Sequence, residues 1–246
     1  MRQHQIIIFA MADSLRFLYR FHFPNAEIKE FEIQLDRNNL GLISKSRPSY
    51  PEWTKLSFKK CTNCPLDEKQ YPYCPVAVNL SDVVEFFRKI VSHQTSEVEI
   101  VTEARTYKKQ ASIQQALSSL MGMIMVTSNC PILDKLRPLV RTHLPFATLE
   151  ETTYRVISMY LLAQFFLKQE GEQPDWELKE LPKIYEQIQI VNRCFNTRIA
   201  GVQIADSSSN AVVILNCQAD YTSAVLSQPE LDQLKKLFSA YLDSES

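Results

Sequence analysis

The sequence predicts an α+β fold in which a small antiparallel β-sheet, formed by N-terminal hairpins, packs on a C-terminal helical bundle. Early alternation of apolar residues, a central loop rich in cysteine and proline, and a helical period over most of the remainder support this prediction. The chain has 246 residues, enough to bury a core without disulfide bonds. We expect a β-rich part at 1–110, which includes the loop at 59–78, and a helical part at 111–246, joined as one cooperative domain.

The β-rich part begins with a predicted hairpin. Apolar side chains alternate from Leu15 to Phe23, which is typical of a strand with one buried face. Pro24-Asn25 then favours a turn, and a less regular strand follows from Ile28 to Leu35. A short third strand is expected at 40–43, and a second hairpin at 98–107.

Helical patterns occupy most of the chain after the loop. Thr148 and Glu151 have the spacing of a capping box, and Pro131 suits the first position of a helix, where its missing N–H does no harm. The apolar run Val156–Leu167 is interrupted by Gln164 and predicts a buried helix. Helices are expected at 79–91, 112–126, 130–140, 148–168, 182–195 and 229–242.

Composition excludes several functional classes. The net charge of −1 gives no general attraction to nucleic acid or anionic lipid. The 4 glycines do not form a phosphate-binding loop, and no apolar run reaches the roughly 20 residues of a membrane span. Residues 6–12 resemble a short signal peptide, but a first strand or an extension upstream of the true start fits better. We therefore expect a cytoplasmic protein.

Cysteines mark the most informative segment. Cys61 and Cys64 form a C-x-x-C turn, and Cys74 follows in the same proline-rich loop. Clustered cysteines in a cytoplasmic chain are typical of metal sites, and this spacing suits structural zinc or, alternatively, an iron–sulfur cluster. The fourth ligand must come from elsewhere, and Cys130 is preferred to His143 because its Asn-Cys-Pro context repeats that of Cys64.

Other interpretations of these cysteines remain open. The thiols can be unliganded, with the loop held by packing of Leu66, Tyr71 and Tyr73. A redox-active C-x-x-C is a further alternative, although such a motif usually begins a helix and here Pro65 follows the second cysteine. The remaining two cysteines, Cys194 and Cys217, have apolar neighbours and are expected to be core thiols.

A polar segment follows Cys130. Arg137 and Arg141 are four residues apart and would face the same way on a continuous α-helix, where they could bind a small anion. His143 could act as a general acid or base oriented by Glu150 or Glu151. A structural ion-pair network is the simpler interpretation of the same residues.

The chain resembles a bacterial family of domains of unknown function between Leu18 and Phe195. The resemblance rests on six strings: Y-R-F-x-F-P from Tyr19, F-E-I-x-L-D from Phe31, C-x-N-C-P from Cys61, C-P-V-A-V-N-L from Cys74, C-P-x-L-D-x-L-R-P from Cys130 and H-L-P-F-A-T-L-E-E-T from His143. It implies that the Cys-Pro units and the segment from Arg137 to Glu150 form one shared site. The chain departs from the pattern before Leu15 and at Thr142, where an aromatic residue is more usual.

The sequence leads to one functional expectation and two alternatives. We expect a zinc-binding module that recognises an unknown protein or a small anionic ligand. The alternatives are a metal- or histidine-dependent enzyme that uses His143 with Glu150 or Glu151, and an iron–sulfur or thiol redox protein.

Overall fold

The computed structural model describes residues 13–44, 47–202, 204–225 and 229–242, and the expected strand at 6–12 lies outside them. Four antiparallel strands form one sheet in the order β2-β1-β3-β4. Their bounds are Ser14–His22 (β1), Ile28–Asp36 (β2), Thr95–Thr102 (β3) and Thr106–Ser112 (β4). Both predicted hairpins are present, which confirms the antiparallel sheet.

One face of the sheet belongs to the core. Phe17, Tyr19 and Phe21 of β1 are buried, as the alternation in the sequence predicted. Tyr19 lies opposite Phe31 on one side and Ile100 on the other, which fixes the register of three strands. The opposite face has ion pairs such as Arg20 with Glu99, as expected for a surface exposed to solvent.

Two helices cover the buried face of the sheet. Helix α1, Pro75–Phe87, packs through Phe87, whose ring centroid lies 5.0 Å from that of Phe21. Helix α2, Ile113–Thr127, follows β4 directly and is buried along most of its length. Its methionines Met121, Met123 and Met125 are core residues, the usual role of this flexible side chain.

The remaining helices extend the core away from the sheet. They are α3 (Leu149–Gln169), α4 (Leu181–Ala200), α5 (Ser207–Val225), α6 (Pro229–Lys236) and α7 (Ser239–Leu242). Helix α5 packs along α4 and against α2, and the sequence did not predict it. The prediction of a sheet packed on helices is confirmed, because buried residues of both parts form one hydrophobic cluster.

Three local predictions differ from the structure. Residues 40–43 form a single bridge, Leu35 with Leu42, rather than a strand. The helix expected at 130–140 is a 3-10 helix over Leu133–Thr142, and Pro138 inside it explains the change because its ring would clash with the carbonyl of Asp134 in an α-helix. Helix α1 begins at Pro75, four residues earlier than expected, since proline suits the first helical position.

Helix α3 is not the buried helix that its apolar sequence predicted. Val156 and Tyr160 face the core, whereas Leu162, Phe165 and Phe166 are exposed. Within the described ranges, no helix combines the length and the apolar character that crossing a membrane requires.

Candidate functional site

The loop that contains Cys61 and Cys64 is held by backbone pairing. The amide of Cys64 donates to the carbonyl of Cys61 at 3.0 Å, which closes a tight turn. Further on, the amide of Leu56 donates to Pro72 at 2.9 Å and that of Cys74 donates to Thr54 at 2.8 Å. The end of the loop therefore pairs with the segment that precedes it, and Cys74 lies beside the 3-10 turn Glu52–Thr54.

Cys74 and Cys130 occupy equivalent positions at the starts of helical segments. Cys74 is the N-cap of α1; its side chain makes no capping hydrogen bond, but the nearby amides of Val76 and Ala77 act to lower the pKa of its thiol. The amides of Ile132 and Leu133 act in the same direction on the pKa of Cys130. Two backbone N–H groups at a helix start favour a thiolate, so both cysteines have a local environment suited to a metal ligand or a reactive thiol.

The five most buried cysteines share one region of the interior. Burial raises the pKa of the Cys61 thiol, and three neighbouring thiols raise it further, those of Cys194, Cys74 and Cys64. Burial likewise raises the pKa of Cys130, with smaller contributions from Cys74 and Cys64. The charges of Cys64 and Cys74 therefore reach Cys130, while the close approach of Cys130 to the loop cysteines stays a prediction.

In the structure, these thiols do not have the geometry of a metal centre. All six cysteines are free. Across the part of the chain that the structure describes, no three Cys, His, Asp or Glu side chains stand close enough together to hold an ion. Cys194, on α4, joins the group although the sequence predicted an ordinary core thiol, and Cys217 is exposed rather than buried.

Beside the thiols lies a buried arginine that sequence reasoning missed. Arg198 of α4 is 1% exposed and makes no ion pair with any described residue. Its guanidinium donates to four carbonyl oxygens of one segment: Trp53 at 2.8 Å, Lys55 at 2.7 Å, and Leu56 and Lys59 at 3.4 Å. Its positive charge acts to lower the pKa values of Cys61 and Cys74, against the larger effect of burial.

The loop is also attached to α4 by exposed contacts. Lys59 Nζ donates to the carbonyl of Thr197 at 3.0 Å, and Asn63 Nδ2 donates to the backbone and side-chain oxygens of Gln187 at 3.0 Å. The cysteine loop, α1 and α4 therefore meet at one place.

The two arginines predicted to bind an anion are not side by side. Arg137 forms an ion pair with Asp134 and donates to Asn129 Oδ1 at 2.8 Å, while Arg141 is exposed. The prediction that both arginines lie on one face assumed an α-helix, but the segment is a 3-10 helix. At 3.0 residues per turn, side chains four positions apart point about 120° away from each other.

The two glutamates predicted to orient His143 lie at the start of α3. Glu151 Oε2 accepts from the amide of Thr148 at 2.8 Å, and the Glu151 amide donates to Thr148 Oγ1 at 3.1 Å, which confirms the predicted capping box. Glu150 is exposed. Among the described residues, neither carboxylate makes a hydrogen bond to His143.

His143 is instead half-buried against the sheet. Its Nε2 lies 2.6 Å from the hydroxyl oxygen of Tyr19, which is 3.1 Å from that of Ser119. Phe17 packs edge-on against the imidazole at 5.8 Å between ring centroids. Burial, with the charge of Arg155 as the second cause, lowers the pKa of His143 to about 3, so the ring is neutral at physiological pH. The sequence did not indicate Tyr19 as its partner.

Comparison with known proteins identifies the family. Neither a curated protein nor a solved structure matches the chain significantly. A family match covers residues 17–239, includes both the sheet and the helices, and confirms the resemblance found in the motifs. The chain therefore belongs to the family described as a domain of unknown function, DUF6901.

Proposed function

We propose that this protein is a cytoplasmic, metal-stabilised binding module in which Cys61, Cys64, Cys74 and Cys130 hold a structural zinc ion. The observation that carries the proposal is electrostatic. The charges of Cys64 and Cys74 act on both Cys61 and Cys130, which supports an arrangement in which these four thiols, from two distant segments, come together around one ion. Free thiols are expected in the reducing cytoplasm.

Two features of the surroundings support zinc over unliganded thiols. A zinc ion bound by four thiolates has a net charge of −2, which is costly to bury unless a cation lies nearby. Arg198 is such a cation, since it is buried and has no carboxylate partner in the described ranges. The backbone amides directed at Cys74 and Cys130 stabilise thiolates in the same way that outer-shell hydrogen bonds support other zinc sites.

Binding must draw the thiols closer together. Four Zn–S bonds of about 2.3 Å need one centre, and the sulfur atoms are further apart than this in the structure. Cys194 competes with Cys130 for the fourth position because it also lies beside Cys61. The ion would link the loop, α1 and the turn after α2, and so stabilise the junction between sheet and helices.

Elemental analysis of the full-length protein, purified anaerobically, tests the proposal. We expect one zinc ion per chain, and its loss in Cys74→Ser and Cys130→Ser. Cys217→Ser is the matched control, because that thiol is exposed and should leave the zinc content unchanged. If zinc is lost in Cys194→Ser but not in Cys130→Ser, the fourth ligand is Cys194. That result would contradict the proposed set of four zinc ligands.

Spectroscopy separates the alternatives. Substitution of the zinc by cobalt should give the visible absorption of a tetrahedral thiolate site. Brown protein that contains iron and sulfide would instead support the iron–sulfur alternative over zinc. If the anaerobically prepared protein contains neither iron nor zinc, and retains no zinc after incubation with zinc and removal of excess metal, both metal interpretations are refuted.

A further inference from the structure

A cavity of about 250 Å³ lies within the helical part, away from the thiols. It lies between the four helices α2, α3, α4 and α5, next to the 3-10 segment Leu133–Thr142 and the loop that follows it. Most of its lining is apolar and includes Met123, Leu136, Ile188 and Leu215. At about 30 Å³ for each water molecule in the liquid, the volume corresponds to roughly eight non-hydrogen atoms. The cavity is therefore of the size of a small organic molecule.

The charged groups of the cavity all have the same sign. Among the residues that the structure describes, its lining includes Arg155 and Lys109 but no aspartate or glutamate. His143, which also lines it, is neutral because burial lowers its pKa to about 3. The carboxylate that acts on Arg155 is that of Glu151, which is already bonded to the Thr148 amide at the start of α3. An anion is thus the charged species that the cavity favours.

Several polar groups of the lining have unused hydrogen-bonding capacity. Arg155 donates one bond from Nη2 to the carbonyl of Leu139 at 2.7 Å, while its Nε is buried without a partner. On α4, Tyr185 is 4% exposed and Asn192 is 3% exposed, and neither side chain makes a hydrogen bond to a described residue. Both line the cavity and lie seven residues apart, which places them on one face of the helix.

These donors define what the occupant must supply. A buried donor without an acceptor costs about 1–3 kcal/mol, so a molecule that brings acceptors to Arg155, Tyr185 and Asn192 regains part of that cost. A carboxylate fits because it accepts several hydrogen bonds and carries the single charge that one guanidinium balances. A phosphate dianion would have to be desolvated among apolar side chains with no second buried cation facing it.

We propose that this cavity binds a small monocarboxylate of about eight to ten non-hydrogen atoms in all, most of them in an apolar body. The carboxylate pairs with Arg155 and accepts from Tyr185 and Asn192, and the apolar body lies among Leu136, Ile188 and their neighbours. Exposed Lys109 and Gln115 belong to the lining and form the entrance. The site shares no residue with the proposed zinc ligands, so it stands whether or not zinc is bound.

The test uses the full-length protein and isothermal titration with octanoate and benzoate. Their uncharged counterparts, 1-octanol and benzyl alcohol, fill the same volume without the charge. We expect each carboxylate to bind at least about tenfold more tightly than its alcohol, the effect of one hydrogen-bonded charge pair. Equal affinities, or no saturable binding of either carboxylate in the millimolar range, would overturn the proposal.

Variants assign the binding to the cavity. Arg155→Met should remove the preference for carboxylate over alcohol, and Arg155→Lys should keep part of it. Asn192→Leu, which replaces an unpartnered polar group by an apolar one of similar size and so should fold, should weaken octanoate binding several-fold. Arg193→Met is the matched control, since Arg193 is exposed on the same helix.

Two further outcomes would refute the proposed site or ligand class. If Arg141→Met abolishes binding and Arg155→Met does not, the anion binds at the 3-10 segment and not in the cavity. If phenyl phosphate binds more tightly than benzoate, the ligand is not a monocarboxylate. Circular dichroism of each variant confirms that a loss of binding is not a loss of fold.

Discussion

Replacement of His143 by glutamine should change how the stability of the protein depends on pH. The imidazole is half-buried, and the loss of solvation lowers its pKa from 6.5 to about 3. Because the folded state binds the proton less readily than the unfolded state, the stabilisation is complete above about pH 6.5 and is lost progressively as the pH falls toward 3. Glutamine keeps a polar atom near Tyr19 but does not titrate.

The magnitude follows from the difference between the two pKa values. Between pH 7 and pH 5 the unfolded histidine becomes protonated while the folded one does not, which lowers the free energy of unfolding by about 2 kcal/mol. Other groups also titrate in this range, but they do so equally in the variant. The difference between the two proteins therefore isolates His143.

Urea unfolding at pH 7, 6 and 5, followed by fluorescence of the buried Trp53, measures this difference. Between pH 7 and pH 5, the free energy of unfolding should fall by about 2 kcal/mol more in the wild type than in His143→Gln. This holds whatever the difference in stability between the two proteins at pH 7. His93→Gln is the matched substitution at an exposed position. Parallel curves for His143→Gln and wild type would refute the assigned environment of His143.

Three further substitutions test other parts of the structure. Tyr19→Phe removes the hydroxyl that contacts both His143 and Ser119. It should lower the free energy of unfolding by about 1–3 kcal/mol in the same urea assay. No change would mean that the 2.6 Å contact between Tyr19 and His143 does not stabilise the protein. Arg198→Lys should lower the free energy of unfolding by at least about 2 kcal/mol, as measured by calorimetry. The reason is that a lysine ammonium cannot replace a guanidinium that donates to four carbonyls. A variant as stable as the wild type would contradict a stabilising role for Arg198. Thr148→Ala should cost about 1 kcal/mol through loss of the capping box, with the neighbouring Thr152→Ala as a comparison that retains the cap.

The features that the sequence predicted well are those determined by neighbouring residues. The alternation around Tyr19 fixed the buried face of β1, and Thr148 with Glu151 fixed the start of α3. The Cys-Pro dipeptide at Cys74 is an equally local signal for a helix start, but the cysteine pattern drew attention to a loop instead. Helix α5 was missed because it opens with three serines, which are poor helix formers, and has little amphipathic character.

The features that the sequence could not predict depend on distant partners. Arg198 looks like any charged residue on a helix, because its acceptors precede it by more than a hundred residues. The hydroxyl that contacts His143 belongs to Tyr19, 124 residues earlier. The segment around Arg137 became a 3-10 helix because of Pro138, and this turned its two arginines away from each other. The cavity beside Arg155 arises only when four separate helices pack together.

Arg198 also constrains the order in which the chain can fold during synthesis. Its four acceptors lie 139 to 145 residues before it. At roughly 5–20 residues per second, the ribosome needs about 7–30 seconds after making Trp53 to make this arginine. During that time the guanidinium is absent, and of the four carbonyls the structure gives that of Lys55 a donor within its own segment, the Phe58 amide at 3.2 Å. The segment before the cysteine loop is therefore expected to complete its folding only after α4 has left the ribosome, which makes a late step of the fold depend on a single side chain.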